Sequence, residues 1–336
     1  MHMKKPTIIT LIITLILSST LIFFRFSPTY ADYILITVQT EKQIYNVGEQ
    51  VKINGTVIYN GQPLTNGLVA IEIDDRAIPI LYRTVNTGAD PAGPFKVEIV
   101  SAYLGDINRN LITNAKKGST YYIWLACQNN EATPVKAALC FTIMDPNNSP
   151  LLALMFFLGD VPTGGPHYYG YQWTVPSDAA TGTATVYGNA YTDDPKNGGT
   201  PHSPEKYSTF NIVTRTLTAS ESGPQKAALT QALPGSYNVI YKIPNKGARL
   251  GNYTVYANVF HLGFKSTATT TYKVILVGDI NSDLYVNVKD ATLLGMAFGS
   301  KPGDPNWDER CDLNKDGWVN IKDAVILNVN FGNSAI

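Results

Sequence analysis

Two stretches near the C-terminus carry oxygen-bearing side chains in the same order and at the same spacing. The first begins at Asp279 and the second begins at Asp312. When each of these is counted as position 1, Asp or Asn recurs at positions 3, 5, 9 and 12 of both stretches. The residues concerned are Asp279, Asn281, Asp283, Asn287 and Asp290 in the first stretch, and Asp312, Asn314, Asp316, Asn320 and Asp323 in the second.

This spacing suits a hard divalent cation, which takes roughly six to eight oxygen ligands. In a loop of this length the side chains at positions 1, 3, 5 and 12 bind directly, and position 9 often acts through a water. Position 7 contributes a backbone carbonyl, which Tyr285 and Trp318 would supply here. The sequence therefore predicts two calcium ions, one in each loop.

An apolar, helix-like stretch follows each loop: ATLLGMAF after Asp290 and AVILNVNF after Asp323. The repeated loop and helix within residues 277–336 resemble the type I dockerin module. Asp rather than Glu at position 12 and the near symmetry of the two copies favour this resemblance over an ordinary EF-hand. The resemblance implies a small helical module that folds around two calcium ions and docks onto a cohesin module of another protein.

The loops depart from the dockerin pattern at two places. Leu284 occupies position 6 of the first loop, where Gly normally permits a sharp turn, so we expect that site to be strained and weaker. Positions 10 and 11, which carry partner contacts in dockerins and are often Ser-Thr, are Val288 and Lys289 in the first copy and Ile321 and Lys322 in the second. The resemblance thus implies a cohesin-like partner with an acidic rim, other than those of the well-known dockerins.

The sequence before this module predicts short β-strands. Apolar and polar residues alternate in runs that Gly, Pro, Asn and Asp separate, which is typical of β-sandwiches. Residues 40–73 resemble macroglobulin-like and other immunoglobulin-like modules of prokaryotic surface proteins. The fold predicted is mainly β, with two or three tandem immunoglobulin-like sandwiches and a small α module. The predicted boundaries are 32–117, 118–213 and a smaller unit at 214–276, followed by the calcium-binding module at 277–336.

An internal repeat supports the sandwich prediction. YQWTVPSDAATGTATVYGNAYT, from Tyr171, matches YKIPNKGARLGNYTVYANVFH, from Tyr241, and each copy leads to a Thr-containing closing strand. Repetition of this kind indicates one structural unit that is used twice. We interpret the two copies as the last strands of two successive sandwiches.

The N-terminus is typical of an exported protein. Lys4 and Lys5 precede a long uncharged stretch, and the sequence Thr29-Tyr30-Ala31 after it resembles a cleavage site. Residues 1–31 are therefore predicted to be a signal peptide cleaved after Ala31. The stretch is also long enough for an uncleaved N-terminal anchor. Either alternative predicts a secreted or cell-surface protein that contacts the membrane only through this segment.

Two of the three cysteines allow alternative chemistries. Cys127 ends one strand-like run and Cys140 lies within the next, so a hairpin that joins the two runs could bring them together in a disulfide. The alternative is a pair of buried free thiols. Cys311 has no obvious partner.

The sequence offers no set of residues that predicts catalysis or nucleic-acid binding. Charge is balanced at 26 basic and 26 acidic residues, and the four histidines are isolated from one another. The carboxylate pairs Asp74-Asp75 and Asp193-Asp194 lie at turn-like positions, where capping of the turn is the expected role. We therefore expect a protein that is not an enzyme.

Tyr169, Tyr171 and Trp173 alternate along one strand-like run and so share a face. Such a strip could stack on sugar rings, but it is better interpreted as the core side of a sandwich strand. The sequence predicts an exported calcium-binding protein that uses its C-terminal module for docking. One alternative is a carbohydrate-binding or accessory subunit of a polysaccharide-degrading complex. Another is an adhesin or envelope component whose C-terminal module binds intramolecularly to a sandwich.

Overall fold

The computed structural model describes residues 32–214 and 233–336. The predicted signal peptide or anchor at residues 1–31 lies outside the described residues. In the two described ranges, no helix combines the length and the apolar character that are needed to cross a membrane.

Alternating side chains produce strands throughout the described part of the chain before the C-terminal module, because every second side chain faces the same side of a sheet. The first group is β1 (Ile34–Ile36), β2 (Gln39–Thr40), β3 (Ile44–Asn46), β4 (Gln50–Tyr59), β5 (Gln62–Pro63), β6 (Leu68–Asp75) and β7 (Ile78–Asn86). The second is β8 (Val97–Gly105), β9 (Asn114–Lys116), β10 (Thr120–Asn129), β11 (Val135–Met144), β12 (Pro150–Val161), β13 (Gly164–Thr174), β14 (Gly182–Tyr191) and β15 (Lys206–Val213). The third is β16 (Ser236–Lys242), β17 (Gly251–His261) and β18 (Phe264–Ile275).

These strands form two sandwiches, each with its own apolar core. In the first sandwich, a sheet of order β1-β4-β16, with β2 and β5 also paired to β4, faces a sheet of order β3-β18-β17-β6-β7. In the second, a sheet of order β13-β10-β8 faces a sheet of order β12-β11-β14-β15-β9. The prediction of a mainly β fold with sandwich modules is confirmed.

The two sandwiches share one topology, as the internal repeat predicted. One sheet of each sandwich has at its edge a short strand that runs parallel to the last strand of that sandwich, β3 beside β18 and β9 beside β15. The repeated sequences fall on β16 and β17 in the first sandwich and on the end of β13 and on β14 in the second. Gly182 and Gly251 begin the equivalent strands with φ of +127° and +124°, a conformation that other residues rarely adopt.

The predicted boundaries between the β units are wrong at two places. Strand β8, placed within residues 32–117, pairs with β10 of the second sandwich. The strands of the predicted third unit, residues 214–276, complete the first sandwich, since β16 pairs with β4 and β17 pairs with β6. The second sandwich is thus inserted into the first between β7 and β16. Local alternation identifies strands, but it does not identify partners that lie far away in the sequence.

The sandwiches meet at a buried junction. Arg83 forms a two-point ion pair with Glu205, in which its Nη2 and Nε lie 2.6 and 2.9 Å from the two carboxylate oxygens. The backbone N–H of Tyr82 donates to Thr142 Oγ1 at 2.7 Å, and the Thr142 hydroxyl donates to the Tyr82 carbonyl at 2.9 Å. The apolar part of the junction is Ala70, Tyr82, Ala138, Cys140, Ala153 and Tyr191. Because the Arg83–Glu205 and Tyr82–Thr142 pairs are buried, they oppose hinge motion between the sandwiches.

Of the two alternatives for Cys127 and Cys140, the disulfide is wrong and the pair of buried free thiols is correct. Cys127 lies in the core of the second sandwich. Cys140 lies on β11 between Leu139 and Phe141, which face that core, so its own side chain points the other way into the junction. The two strands also belong to different sheets. Cys311 is a third buried free thiol.

The aromatic strip on β13 faces the protein interior. Trp173 is buried in the second core, and Tyr169 and Tyr171 pack against it. The Tyr171 ring contacts the Phe141 ring with centroids 5.6 Å apart. The interpretation of this strip as the core side of a strand is confirmed.

Thiol labelling under non-reducing conditions tests the cysteine assignment. We expect iodoacetamide to label all three cysteines of the denatured chain and to label them slowly in the native chain. Burial raises the pKa of Cys127 to about 12, so little reactive thiolate forms in the folded protein. Mass spectrometry counts the labels, and a denatured chain that accepts only one label would contradict the assignment.

Candidate metal centre

Two helices follow the two loops. They are α1 (Val288–Ala297) and α2 (Ile321–Asn330). The Asn287 side chain accepts a hydrogen bond from the Lys289 backbone N–H, and the Asp290 carboxylate accepts one from the Asn287 N–H, each at 2.8 Å. Asn320 and Asp323 form the same reciprocal cap at the start of α2. Positions 9 and 12 of each loop therefore also begin the helix that follows.

The first loop brings its carboxylates together. Ligand oxygens of Asp279, Asp283 and Asp290 lie within 4.8 Å of one another. Asp290 is fully buried, and its Oδ1 accepts hydrogen bonds from the backbone N–H groups of Ile280 and Asn281 at 2.8 and 3.1 Å. Because every convergent donor is an oxygen, the residues present fit a hard cation such as calcium.

The second loop repeats this internal framework. The Asp316 N–H donates to Asp312 Oδ1 at 3.2 Å and to Asn314 Oδ1 at 2.9 Å. The buried Asp323 accepts from the Asn314 N–H at 3.1 Å and from the Asn320 N–H at 2.8 Å. In the described ranges, the convergence of three carboxylates within 4.8 Å is found in the first loop only.

Position 6 adopts the left-handed conformation in both loops. Its φ is +68° at Leu284 and +83° at Gly317. A non-glycine residue in this region costs about 1 to 2 kcal/mol. Leu284 is held there by two hydrogen bonds, from its own N–H to Asp279 Oδ2 at 3.0 Å and from the Ala335 N–H to its carbonyl at 2.9 Å.

The predicted partner residues Lys289 and Lys322 contact the loops. Lys289 Nζ lies 3.1 Å from Asp283 Oδ2, and Lys322 Nζ lies 2.8 Å from Asp316 Oδ2. The hydrogen bond from Lys289 holds the pKa of Asp283 below its usual range, and Lys322 has the same effect on the pKa of Asp316. Both lysines remain largely exposed, so these pairs add little to stability.

The C-terminal tail, residues 332–336, pairs with the first loop. The Gly332 N–H donates to the Val286 carbonyl at 2.8 Å, and the Val286 N–H donates to the Asn333 carbonyl at 3.0 Å. Together with the bond from Ala335 to Leu284, these contacts flank Tyr285, whose carbonyl is the predicted position 7 ligand. In the second loop, Val319 pairs in the same way with the residues that follow α1.

The same tail also contacts the first sandwich. The Ser334 N–H donates to the Asn245 carbonyl and the Ile336 N–H donates to the Ala248 carbonyl, both at 2.9 Å. Asn46, at the end of β3, accepts from the Val277 N–H at 2.8 Å through its Oδ1. Sequence reasoning missed Asn46, Asn245 and the tail, because nothing in their local sequence marks them as partners.

The helices carry apolar side chains on two different sides. The inward side chains join a small buried core, which comprises Ile280, Val286, Leu294, Ala297, Cys311, Val319 and Leu327. The outward apolar residues lie eight positions apart on α1 and four positions apart on α2. We call them the docking stripes: Val288 and Met296 on α1, and Ile321, Val325 and Val329 on α2. Each of these five is more than half exposed, from 54% at Val325 to 75% at Val329. Val288 and Ile321, two predicted partner residues, begin the stripes.

The histidines among the described residues pack against neighbouring residues or lie close to backbone carbonyls. His202 is buried with its Nε2 3.0 Å from the Lys136 carbonyl, and burial lowers its pKa. His261 packs edge-on against Tyr59, and His167 lies 3.4 Å from the Thr163 carbonyl. A groove of about 370 Å³ beside β8 is lined by tyrosines, serines, basic and apolar residues, with no carboxylate or histidine among its lining residues.

Comparison with known proteins identifies the C-terminal module. Residues 277–331 match the family model of the dockerin type I domain. The recognition of this module from its loops is thereby confirmed, and dockerin domains in general bind calcium and dock onto other proteins. A search of curated proteins finds no match for the chain.

Solved structures resemble the β region only loosely. A cycloisomaltooligosaccharide glucanotransferase from Paenibacillus aligns with 35% of this chain and 14% of its own, at 8% identity and a TM-score of 0.28. The C-terminal domain of Wzt aligns with 40% of this chain and 87% of its own, at 10% identity and a TM-score of 0.30. An alpha-2-macroglobulin from Salmonella aligns with 72% of this chain and 23% of its own, at 8% identity and a TM-score of 0.23. Likenesses at this level carry no functional information.

Replacement of Leu284 by Gly tests the strain in the first loop. We expect Leu284→Gly to raise the free energy of unfolding of the module by about 1 kcal/mol and to tighten its first calcium site, because Gly adopts φ of +68° without a Cβ clash. Gly317→Ala is the matched control, since a Cβ there meets nothing within 4 Å and only the positive φ opposes it. It should weaken the second site. Calorimetric calcium titration measures both, and an unchanged first site in Leu284→Gly would contradict the strain.

Two proline substitutions separate the two contacts of the tail. Ala335→Pro removes the N–H that donates to Leu284, whereas Ile336→Pro removes the N–H that donates to Ala248 of the sandwich. We expect the first to weaken calcium binding at the first loop and to leave the second loop unchanged. The second should leave both affinities near wild type. Equal effects of the two substitutions on the first loop would show that this loop does not depend on its bond to the tail.

Proposed function

We propose that this chain is a non-catalytic, calcium-dependent docking protein that acts outside the cell or at its surface. The observation that carries the proposal is the duplicated loop and helix within residues 277–331, whose docking stripes face away from their own core. The two β-sandwiches then serve as a rigid support for the module.

Two calcium ions would each be held by one loop. The first would take Asp279, Asn281, Asp283 and Asp290 with the Tyr285 carbonyl, and the second would take Asp312, Asn314, Asp316 and Asp323 with the Trp318 carbonyl. Asn287 and Asn320 at position 9 would act through water. Bound calcium supplies the positive charge that lets several carboxylates share one small volume. The small module core is a further reason to expect folding that depends on the ion.

The docking stripes favour an apolar partner surface with an acidic rim. Ile321, Val325 and Val329 lie one helical turn apart, so they form a continuous apolar line on α2. Lys289 and Lys322 flank the starts of the two stripes and add positive charge at their edge. Because the module matches the dockerin family, a cohesin-like module is the partner that we propose.

Intramolecular capping, the alternative role for the module, is favoured by a specific observation. The tail joins the module to the first sandwich, and its Asn333 Nδ2 donates to the Val47 carbonyl at 3.3 Å. Asn46 of the sandwich adds a contact to Val277 of the module. These contacts use none of the five residues of the docking stripes. The two roles are therefore compatible: the tail side of the module rests on the sandwich while the stripes stay free for a partner.

The remaining alternatives have less support. The aromatic strip suggested for polysaccharide binding lies in the core of the second sandwich, so a carbohydrate-binding role would need other residues. The absence of a catalytic role remains our proposal, supported by the structural surroundings of the described histidines and by the lining of the groove. The predicted signal peptide or anchor at residues 1–31 supports a location outside the cell or at its surface.

Acidic substitutions in the stripes test the docking role. We expect Ile321→Asp combined with Val325→Asp to weaken binding to a cohesin partner by at least about tenfold, because each buries a charge in an apolar contact. Binding is measured to a panel of immobilised cohesin modules and to the secreted proteins of the host. Each measurement is made once in calcium and once in chelator. Ile107→Asp, at a 66% exposed position in the second sandwich, is the control. Binding that persists in chelator, or in the stripe variant, would contradict the proposal.

A further inference from the structure

The outer face of the sheet β13-β10-β8 in the second sandwich carries a group of aromatic side chains. Alternate residues of these strands, among them Leu104, Ile123 and Trp173, point into the second core. The residues between them point away from that core, because successive side chains of a strand face opposite sides of the sheet. They include four aromatic residues, which are Tyr103 on β8, Tyr122 and Trp124 on β10, and Tyr168 on β13. These four are distinct from the aromatic strip on β13, which faces inward.

Glycines on both neighbouring strands let the Trp124 indole lie across the sheet. Gly170 on β13 is the direct partner of Trp124, and a Cβ there would come within 2.5 Å of the indole. A Cβ at Gly105 on β8 would come within 2.9 Å of Trp124 Cδ1, at the opposite end of the indole. Trp124 Nε1 donates to the Asp106 carbonyl at 2.8 Å, and the Tyr122 ring lies at 20° to the indole with centroids 5.6 Å apart. Tyr122 and Trp124 therefore form one broad aromatic surface, and both remain partly exposed.

The groove of about 370 Å³ continues this surface at the edge of β8. Tyr103 and Arg109 belong to its lining, and Lys206 lines it from β15. In the described ranges, neither Arg109 nor Lys206 forms an ion pair, and no carboxylate lines the groove. The groove therefore carries two positive charges with which no acidic side chain of those ranges pairs.

Several contacts fix Arg109 beside the aromatic residues. Its guanidinium lies over the Tyr168 ring, 4.6 Å from the ring centroid. Its N–H donates to the Asp106 carbonyl at 3.1 Å, and its carbonyl accepts from the Tyr103 hydroxyl at 3.3 Å. Its φ is +70°, which is uncommon for a residue other than glycine. Because residues in such conformations cluster at binding sites, Arg109 is a candidate for contact with a ligand.

We propose that this outer face and its groove bind a polysaccharide rich in uronic acids. Sugar rings would stack on Tyr122 and Trp124 through their apolar C–H faces, and sugar carboxylates would pair with Arg109 and Lys206. A neutral polysaccharide would leave the two cations without partners. A single-stranded nucleic acid also offers flat rings and negative charge. It is disfavoured because the chain carries 26 basic and 26 acidic residues, so it has no basic excess to attract a phosphate backbone.

Calorimetric titration of the full-length chain with hexagalacturonate and with a hyaluronan hexasaccharide tests the proposal. We expect the chain to bind at least one of them, and to bind the carboxyl-reduced form of the same oligosaccharide at least about fivefold more weakly. Lys206→Gln should weaken binding of the acidic form by about threefold or more, because it removes one charged partner. Lys273→Gln is the control, since Lys273 is also exposed but lies on β18 of the first sandwich. It should bind like the wild type.

Tyr122→Leu tests the stacking, because leucine keeps an apolar side chain on the sheet but removes the ring. We expect it to weaken binding about fivefold. Tyr33→Leu, at a 42% exposed tyrosine at the start of the first sandwich, is the control. Trp124→Phe keeps a ring over Gly170 and so should fold. It should lose the change in tryptophan fluorescence that the acidic oligosaccharide causes in the wild type.

Four outcomes would overturn the proposal. They are failure of both acidic oligosaccharides to bind, equal binding of the carboxyl-reduced forms, tighter binding of a thymidine oligonucleotide at the same ionic strength, and unchanged affinity in both Lys206→Gln and Tyr122→Leu. The docking role is tested separately, because none of these residues lies in the docking stripes. Ile321→Asp combined with Val325→Asp should therefore leave oligosaccharide binding unchanged.

Discussion

Carboxylates that are packed into a small, poorly solvated volume require a positive charge beside them. The chain meets this constraint at three places, with Lys289 and Lys322 beside the two C-terminal loops and with Lys196 at the junction. In the two loops the lysine contacts an Asp that calcium would also use. Each loop lysine can therefore act as a built-in counter-ion that keeps the site partly compensated when calcium is scarce. At the junction, Lys196 contacts the buried carboxylates of Glu72 and Asp194. Because the loop lysines are exposed and Lys196 is only 28% exposed, Lys196 should leave its carboxylates less readily than the loop lysines leave theirs.

The nested arrangement of the sandwiches makes the first of them depend on contacts between distant parts of the chain. The chain leaves the first sandwich after β7 and returns to it at β16, so the second sandwich is an insertion within the first. Pairing of β4 with β16 and of β6 with β17 closes a loop that contains the whole second sandwich, which makes folding of the first sandwich dependent on distant contacts. Specific pairs such as Arg83 with Glu205 define one relative placement of the sandwiches, which apolar packing alone would define less sharply.

The sequence predicted what depends on short-range spacing and missed what depends on remote pairing. The loops were recognisable because their ligands lie within 12 positions of one another, and the repeat exposed equivalent strands through Gly182 and Gly251. By contrast, Leu139 and Cys140 are adjacent apolar residues in the same strand-like run. Only the sheet shows that Leu139 faces the second core and Cys140 faces the junction. The pairing of Asp74 with Lys196 and of the tail with Asn245 joins residues that are far apart along the chain. No local pattern carries that information.

The environment of the module removes the symmetry that its sequence repeat suggests. Both loops pair with the segment that follows the opposite helix, but only the segment after α2 continues to the first sandwich. The first loop therefore has the residue least suited to its turn, Leu284, and also the stronger external support. The second loop has Gly317 and depends on the module alone. Since the hydrogen bond from Ala335 stabilises the strained backbone of Leu284, calcium at the first loop and pairing of the tail with that loop favour each other. A partner that binds the docking stripes thus meets a module that other residues, those of its tail, attach to the first sandwich.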